Sequence, residues 1–172
     1  MERVHKADGH TLWIGESDFG ATVTELDRPE FARKIEERRT GGRQFPVGIS
    51  HGFEALKLSV KCKGVALPFI GLVQSGQING VRLFIRSYLD DEQGGYQASV
   101  EEFQGRCTAP NKVIQSWKED GDIEGELEFW LTYYRWDFGD AENTIEVDVL
   151  NDIYLPEHMF QNKARRSALG RS

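Results

Sequence analysis

Residues 31–60 read FARKIEERRTGGRQFPVGISHGFEALKLSV. Two stretches of strand character, 31–39 and 54–62, flank a connection over 40–52. In 54–62 the side chains alternate cleanly. Leu56, Leu58, Val60 and Cys62 fall on one side, and Ala55, Lys57, Ser59 and Lys61 on the other, which is the period of a half-buried strand. The connection is about a dozen residues long, more than most hairpin turns need. Arg38 and Arg39 lead into it, and it holds Gly41, Gly42, Arg43, Phe45, Pro46, Val47, Gly48 and Gly52. Its glycine pair permits positive φ at a cost in ordering entropy. The reading from length and composition is a functional or partner-ordered loop over 40–52.

The rest of the chain is punctuated in the same way. Glycine is abundant (18) and proline scarce (5), with period-two runs between turn signals, so a mainly β fold with a flanking helix is expected. Strands are predicted over 21–26, 81–89, 96–107, 122–135 and 144–149. An internal helix is predicted over 65–73 and a C-terminal helical segment over 157–169, where Lys163, Arg165 and Arg166 complement the helix dipole. With 172 residues, one domain spanning 1–172 is expected.

Face assignment follows from alternation. In 122–135, Leu127, Phe129, Leu131 and Tyr133 share the apolar side with Phe103 and Cys107 of the preceding long strand. Opposite them stand Glu124, Glu126 and Glu128, together with Glu102, Gln104 and Arg106. In 31–39, Phe31 and Ile35 form the apolar side, leaving Lys34, Glu36 and Arg38 opposite. A bulge near Gly105 or Gly125 would flip this parity. Trp130, Tyr134, Trp136 and Phe138 continue the polar-side register as a run of rings, read as core packing or as a contact between subunits.

Charge and chemistry exclude several classes. Residues 101–157 carry 15 acids and 4 bases, against 13 of each in residues 1–100. An acidic body with a short basic tail is a poor duplex-DNA binder. No apolar run is long enough to span a membrane, and the first twenty residues have no apolar core of a secretory signal. Cys62 and Cys107 are expected as two thiols in a reducing compartment. The histidines (His5, His10, His51 and His158) are not at metal-ligand spacings, and no nucleophile elbow or phosphate-binding loop is present. Adjacent carboxylates such as Glu36-Glu37 and Glu101-Glu102 point to opposite faces of a strand and cannot share a substrate. Neither catalytic residue, metal nor cofactor is expected.

Gly41-Gly42, Pro46-Val47 and Gly52 ahead of Glu54-Ala55-Leu56, then Tyr133-Tyr134-Arg135, Ile145-Glu146-Val147-Asp148 with Asn151, Arg165-Arg166 and Leu169-Gly170 form a set whose order and spacing resembles the tail tube proteins of P2-type contractile phages and R-type pyocins (tailocins). The resemblance implies a β-barrel or sandwich subunit. Six such subunits close a ring with a 24-stranded β-barrel lumen, to which each contributes two hairpins. It further implies that Arg38, Arg39, Gly41, Gly42, Arg43, Phe45, Pro46, Val47 and Gly52 meet a neighbouring subunit. At Arg43 and Phe45 the family more often has an apolar and a small residue. The lumen side would carry Lys34, Glu36, Lys57, Lys61, Glu102, Gln104, Arg106, Glu124, Glu126 and Glu128, a mixed rather than purely acidic lining.

Implied partners are further copies of the chain, a tail sheath protein, a baseplate hub or initiator, a tape-measure protein and a tail terminator. DNA would be met only in transit, without membrane anchoring, and the particle would be built in the bacterial cytoplasm. The alternatives are a tube subunit of a type VI-like injection system and a monomeric β-barrel binding protein.

Overall fold

The computed structural model describes residues 5–170 apart from 43, 65–77, 79, 92–93, 109–118, 120, 122 and 140–143. The helix predicted over 65–73 lies outside the described residues, as does Arg43. Strands β1 (His5–Ile14), β2 (Ser17–Asp27), β5 (Lys57–Lys63), β6 (Val81–Asp91), β7 (Tyr96–Cys107), β8 (Glu124–Asp137), β9 (Ile145–Asp148) and β10 (Ile153–Leu155) form one sheet in the order β10-β9-β8-β5-β2-β1-β6-β7. A further pairing joins β7 to β8. The ladder therefore runs from β8 through five other strands and back to β8, enclosing the apolar face. The mainly β expectation holds.

Alternation builds the core. Leu58, Val60 and Cys62 of β5, Leu83 and Ile85 of β6, Phe103 of β7, and Leu127 and Phe129 of β8 are all buried. One carboxylate joins them. Glu101 is fully buried, and Arg28 donates to both its oxygens, from Nε at 2.9 Å and from Nη2 at 2.7 Å. The hydroxyl of buried Tyr134 donates to the same group at 3.4 Å. Arg28 also lies over the Trp136 ring, 4.4 Å from its centre. A buried charge held by a bidentate guanidinium is tolerated, whereas losing the partner would strand it. Glu102, next in sequence, faces outward to Arg82, so the two carboxylates do point to opposite faces.

The face assignment of β8 needs one correction. Gln104 pairs with Tyr133 but Gly105 pairs with Leu131, so Thr132 is an extra residue bulged from the ladder. Beyond it the parity flips. Tyr134 (1% exposed) enters the core, and Tyr133, expected there, turns to the outer face and donates to Glu146. Trp130 stays outside, so Trp130, Tyr134 and Trp136 do not share a face. The bulge requires Gly105: an added Cβ would lie 2.2 Å from the Trp130 carbonyl oxygen and 2.9 Å from Leu131 Cα.

The reading of 31–62 as two strands flanking one long loop changes, whereas the helical segment expected over 157–169 is present. Residues 31–39 do not pair with 54–62. Instead β3 (Arg33–Arg38) pairs with β4 (Val47–Phe53) as a separate two-stranded sheet, while β5 pairs with β2 and β8. Residues 40–52 are thus not a continuous loop, since their second half is a strand. The C-terminal segment is two short helices, α1 (Glu157–Phe160) and α2 (Asn162–Ala168), separated by Gln161 at φ 52°.

Gly105→Ala is expected to cost about 3 kcal/mol or more, because the contact is with backbone that cannot rotate away. Denaturant unfolding checks this, and an unchanged midpoint contradicts it. A second expectation concerns alkaline pH. Burial, and then the neighbouring Glu101 carboxylate, push the Tyr134 phenol far above its ordinary value of 10.0. The unfolded phenol ionises first, so this contribution is complete below about pH 10 and is lost as pH rises above it. Tyr134→Phe is expected to lose about 1 kcal/mol at pH 8 and to flatten the fall in stability above pH 10. Parallel falls in the two proteins would contradict it.

Candidate assembly surfaces

The β3–β4 hairpin leaves the body at residues 28–32 and returns at 54–56. Every residue of both strands is exposed. In register, Glu36 sits opposite Ile49, Arg38 opposite Val47, and Ile35 opposite Ser50. Lys34, Glu36, Arg38, Val47, Ile49 and His51 therefore share one face, on which His51 Nε2 lies 2.8 Å from Glu36 Oε2. Ile35 stands on the other, where its Cγ2 would be 2.9 Å from a Cβ at Gly48. An extra residue in β4 breaks the register between Arg33 and Ile35, close to Gly52 at φ 103°. That conformation suits glycine.

Only the root of this hairpin is anchored. Phe31 and Phe53 both meet Phe160 of α1, with ring centres 5.3 and 5.5 Å away, and Tyr154 of β10 completes the cluster at 5.9 Å. The Glu54 N–H donates to Ala32 O at 2.9 Å. Farther out nothing described in the chain covers the apolar side chains. Ile35 is 65% exposed and Phe45, in the turn, 80%, with Val47 and Ile49 also exposed. A lone two-stranded hairpin is marginal in water. A projecting one with exposed apolar side chains on both faces is built to be covered.

The second surface is the outer face of β5, β8 and β7. Lys61 lies opposite Glu126 and Lys63 opposite Glu124, with Ser59 opposite Glu128 and Lys57 opposite Trp130. On the other edge of β8, Gln104 meets Tyr133, Arg106 meets Trp130, and Glu102 meets Arg135. The fold thus brings Lys57, Lys61, Glu102, Gln104, Arg106, Glu124, Glu126 and Glu128 onto one surface. Lys34 and Glu36 stand apart from it, on the hairpin.

Charges on this surface neutralise one another locally. Lys61 Nζ is 2.5 Å from Glu25 Oε2, a bond that raises the lysine pKa; Lys63 Nζ is 3.7 Å from Glu124, and Arg135 is 3.1 Å from Asp137. Burial, then its bond to Glu146, pushes the Tyr133 phenol up to about 12. Glu25, Lys63, Arg82 and Arg135 were not foreseen as members. Glu25 and Arg82 sit on strands whose neighbours only the folded ladder reveals.

Among the described residues no group of three or more His, Cys, Asp or Glu side chains is placed to hold a metal ion, and no helix is long and apolar enough to cross a membrane. Cys62 and Cys107 are free thiols, and burial pushes Cys62 up to about 11, away from the low values of reactive cysteines. The arrangement offers surfaces for recognition. It is that of a structural subunit which presents a projecting hairpin and a charge-balanced sheet face. The family model for phage tail tube protein FII matches residues 5–170, and the chain belongs to that family. It is a structural component of a virion tail, assembling with itself into a tube. No curated protein sequence matches the chain.

Proposed function

We propose that the chain, folded as one domain over 1–172, is the inner-tube subunit of a contractile phage tail or phage-tail-like particle. Six copies close a ring and rings stack into a conduit within a sheath. The observation that carries this reading is the β3–β4 hairpin, whose apolar side chains are left in water by its own subunit. A second copy supplies the missing cover, and ring closure pairs sheet edges that would otherwise invite uncontrolled addition. In this reading Arg38, Arg39, Gly41, Gly42, Arg43, Phe45, Pro46, Val47 and Gly52 meet a neighbouring subunit. The outer face of β5, β8 and β7 lines the lumen with alternating acids and bases, giving a conduit of low net field to which a phosphate backbone gains no purchase.

The work is mechanical, with no catalytic residue or cofactor. A baseplate hub or initiator nucleates the tube, a tape-measure protein occupies the lumen, a terminator caps it, and sheath contraction drives it through an envelope. DNA passes only in transit.

Negative-stain electron microscopy of the purified chain over a concentration series tests this reading. Six-fold rings or open tubes are expected, and particles of other symmetry contradict it. Phe45→Asp is expected to raise the concentration for half-assembly at least tenfold. The same change should shift monomer stability by no more than about 0.5 kcal/mol, because the side chain is exposed. Unimpaired assembly removes the hairpin from the mechanism.

A further inference from the structure

A groove of about 590 Å³ opens between the end of β2, the start of β5 and the outer edge of β8, beside the root of the hairpin. Its walls carry five carboxylates, from Asp27, Glu30, Glu54, Glu126 and Glu128, with the half-exposed Trp130 ring on one side. Two bases border it. Arg28 is committed to the buried Glu101, and Lys57 lies over the Trp130 ring, 5.5 Å from its centre. Glu126 accepts from Ser59 at 3.1 Å and stands opposite Lys61, so the acidic character of the groove is carried by its rim, Asp27, Glu30 and Glu54, beside an aromatic wall.

The hairpin turn has the opposite character. From Arg38 to Val47 the sequence holds Arg38, Arg39 and Arg43 and no acid, followed by the exposed Phe45 and Pro46. We infer that the groove receives the hairpin turn of a second copy of this chain, its arginines on the rim carboxylates and Phe45 against Trp130. The inference rests on the tube reading above and gives that reading its receptor.

Two physical arguments support a second copy as the occupant. Charge complementarity is the first: a turn with only basic charges meets a groove dominated by carboxylates, and arginine pairs with carboxylates in bidentate fashion. Reach is the second. The ladder from Arg33–Phe53 to Arg38–Val47 carries the turn roughly 20 Å from the root, so the turn cannot fold back into its own groove. A turn-to-root contact is also heterologous, because each copy offers one half and accepts the other. Such contacts propagate into rings or stacks instead of stopping at a dimer. The docking end is the rim formed by Asp27, Glu30 and Glu54. Glu126 and Glu128 form its inner end, where the groove passes into the lining face.

Charge exchange tests the pairing. Arg38→Glu with Arg39→Glu, and separately Glu30→Lys with Glu54→Lys, are each expected to reduce sedimentable rings or tubes at least tenfold. Circular dichroism should be unchanged, since all four residues are exposed. All four changes in one chain restore the complementarity, and assembly should return to within about threefold of the starting protein. Normal assembly of either double variant overturns the inference while leaving the tube reading intact. Loss in both doubles without recovery in the combined chain also overturns it, because turn and groove would then have different partners. A starting protein that never assembles removes the tube reading and this inference with it.

Discussion

A single missing side chain sets the path of β8. Because Gly105 has no Cβ, the Trp130 carbonyl closes against its backbone and Thr132 is squeezed out of the β7–β8 ladder. On one side of that bulge β8 pairs with β5, and the Leu131 N–H still reaches Leu56 O. On the other its partner is β9, with Val149 N–H donating to Thr132 O. One long strand thereby serves two neighbours in succession along the same edge. The change of parity sends Tyr134 inward to the Glu101–Arg28 pair and to Phe103 and Phe31, whose ring centres lie 5.1 and 6.0 Å away. Phe31 in turn belongs to the aromatic cluster at the hairpin root. The position of the hairpin thus traces back to a glycine on a different strand.

This chain of contacts separates a stable part of the molecule from a dependent one. Among the described residues the sheet buries the apolar side of its alternating strands and satisfies the fully buried Glu101 carboxylate. The hairpin is rooted by Phe31, Phe53 and Phe160 and otherwise projects with its apolar residues uncovered. Membership of the tail tube family gives that division a purpose. In the proposed tube the body would be the wall, with its charge-balanced outer face, and the hairpin the contact that joins neighbouring walls.

Much of this was legible in the sequence because most strands alternate without interruption. The side chains of 54–62 and 96–107 assign their own faces, and the structure keeps those assignments. The misses have physical causes. Val47-Gly-Ile-Ser-His-Gly-Phe is a strand whose glycines read as loop signals. Gly48 is there because Ile35 crowds that side of the ladder, and Gly52 lies at the break in register. The flip in β8 is invisible along β8 itself, since Thr132 is an ordinary strand former, and only Gly105 on the partner hinted at it. Local pattern also does not choose partners. Nothing in 54–62 says that it pairs with β2 and β8 rather than with 31–39. Lys57, Lys61, Glu102, Gln104, Arg106, Glu124, Glu126 and Glu128 share one face of the sheet, as alternation implies, whereas Lys34 and Glu36 stand apart on the hairpin.

The central claim is that the hairpin is buried between copies of the chain. Amide hydrogen exchange over residues 33–53, compared between the free subunit and the assembled tube, tests it most directly. The account predicts rapid exchange in the free subunit, where both strands are exposed, and strong protection across the hairpin in the tube. Equal exchange in the two states, with protection gained elsewhere, would contradict it.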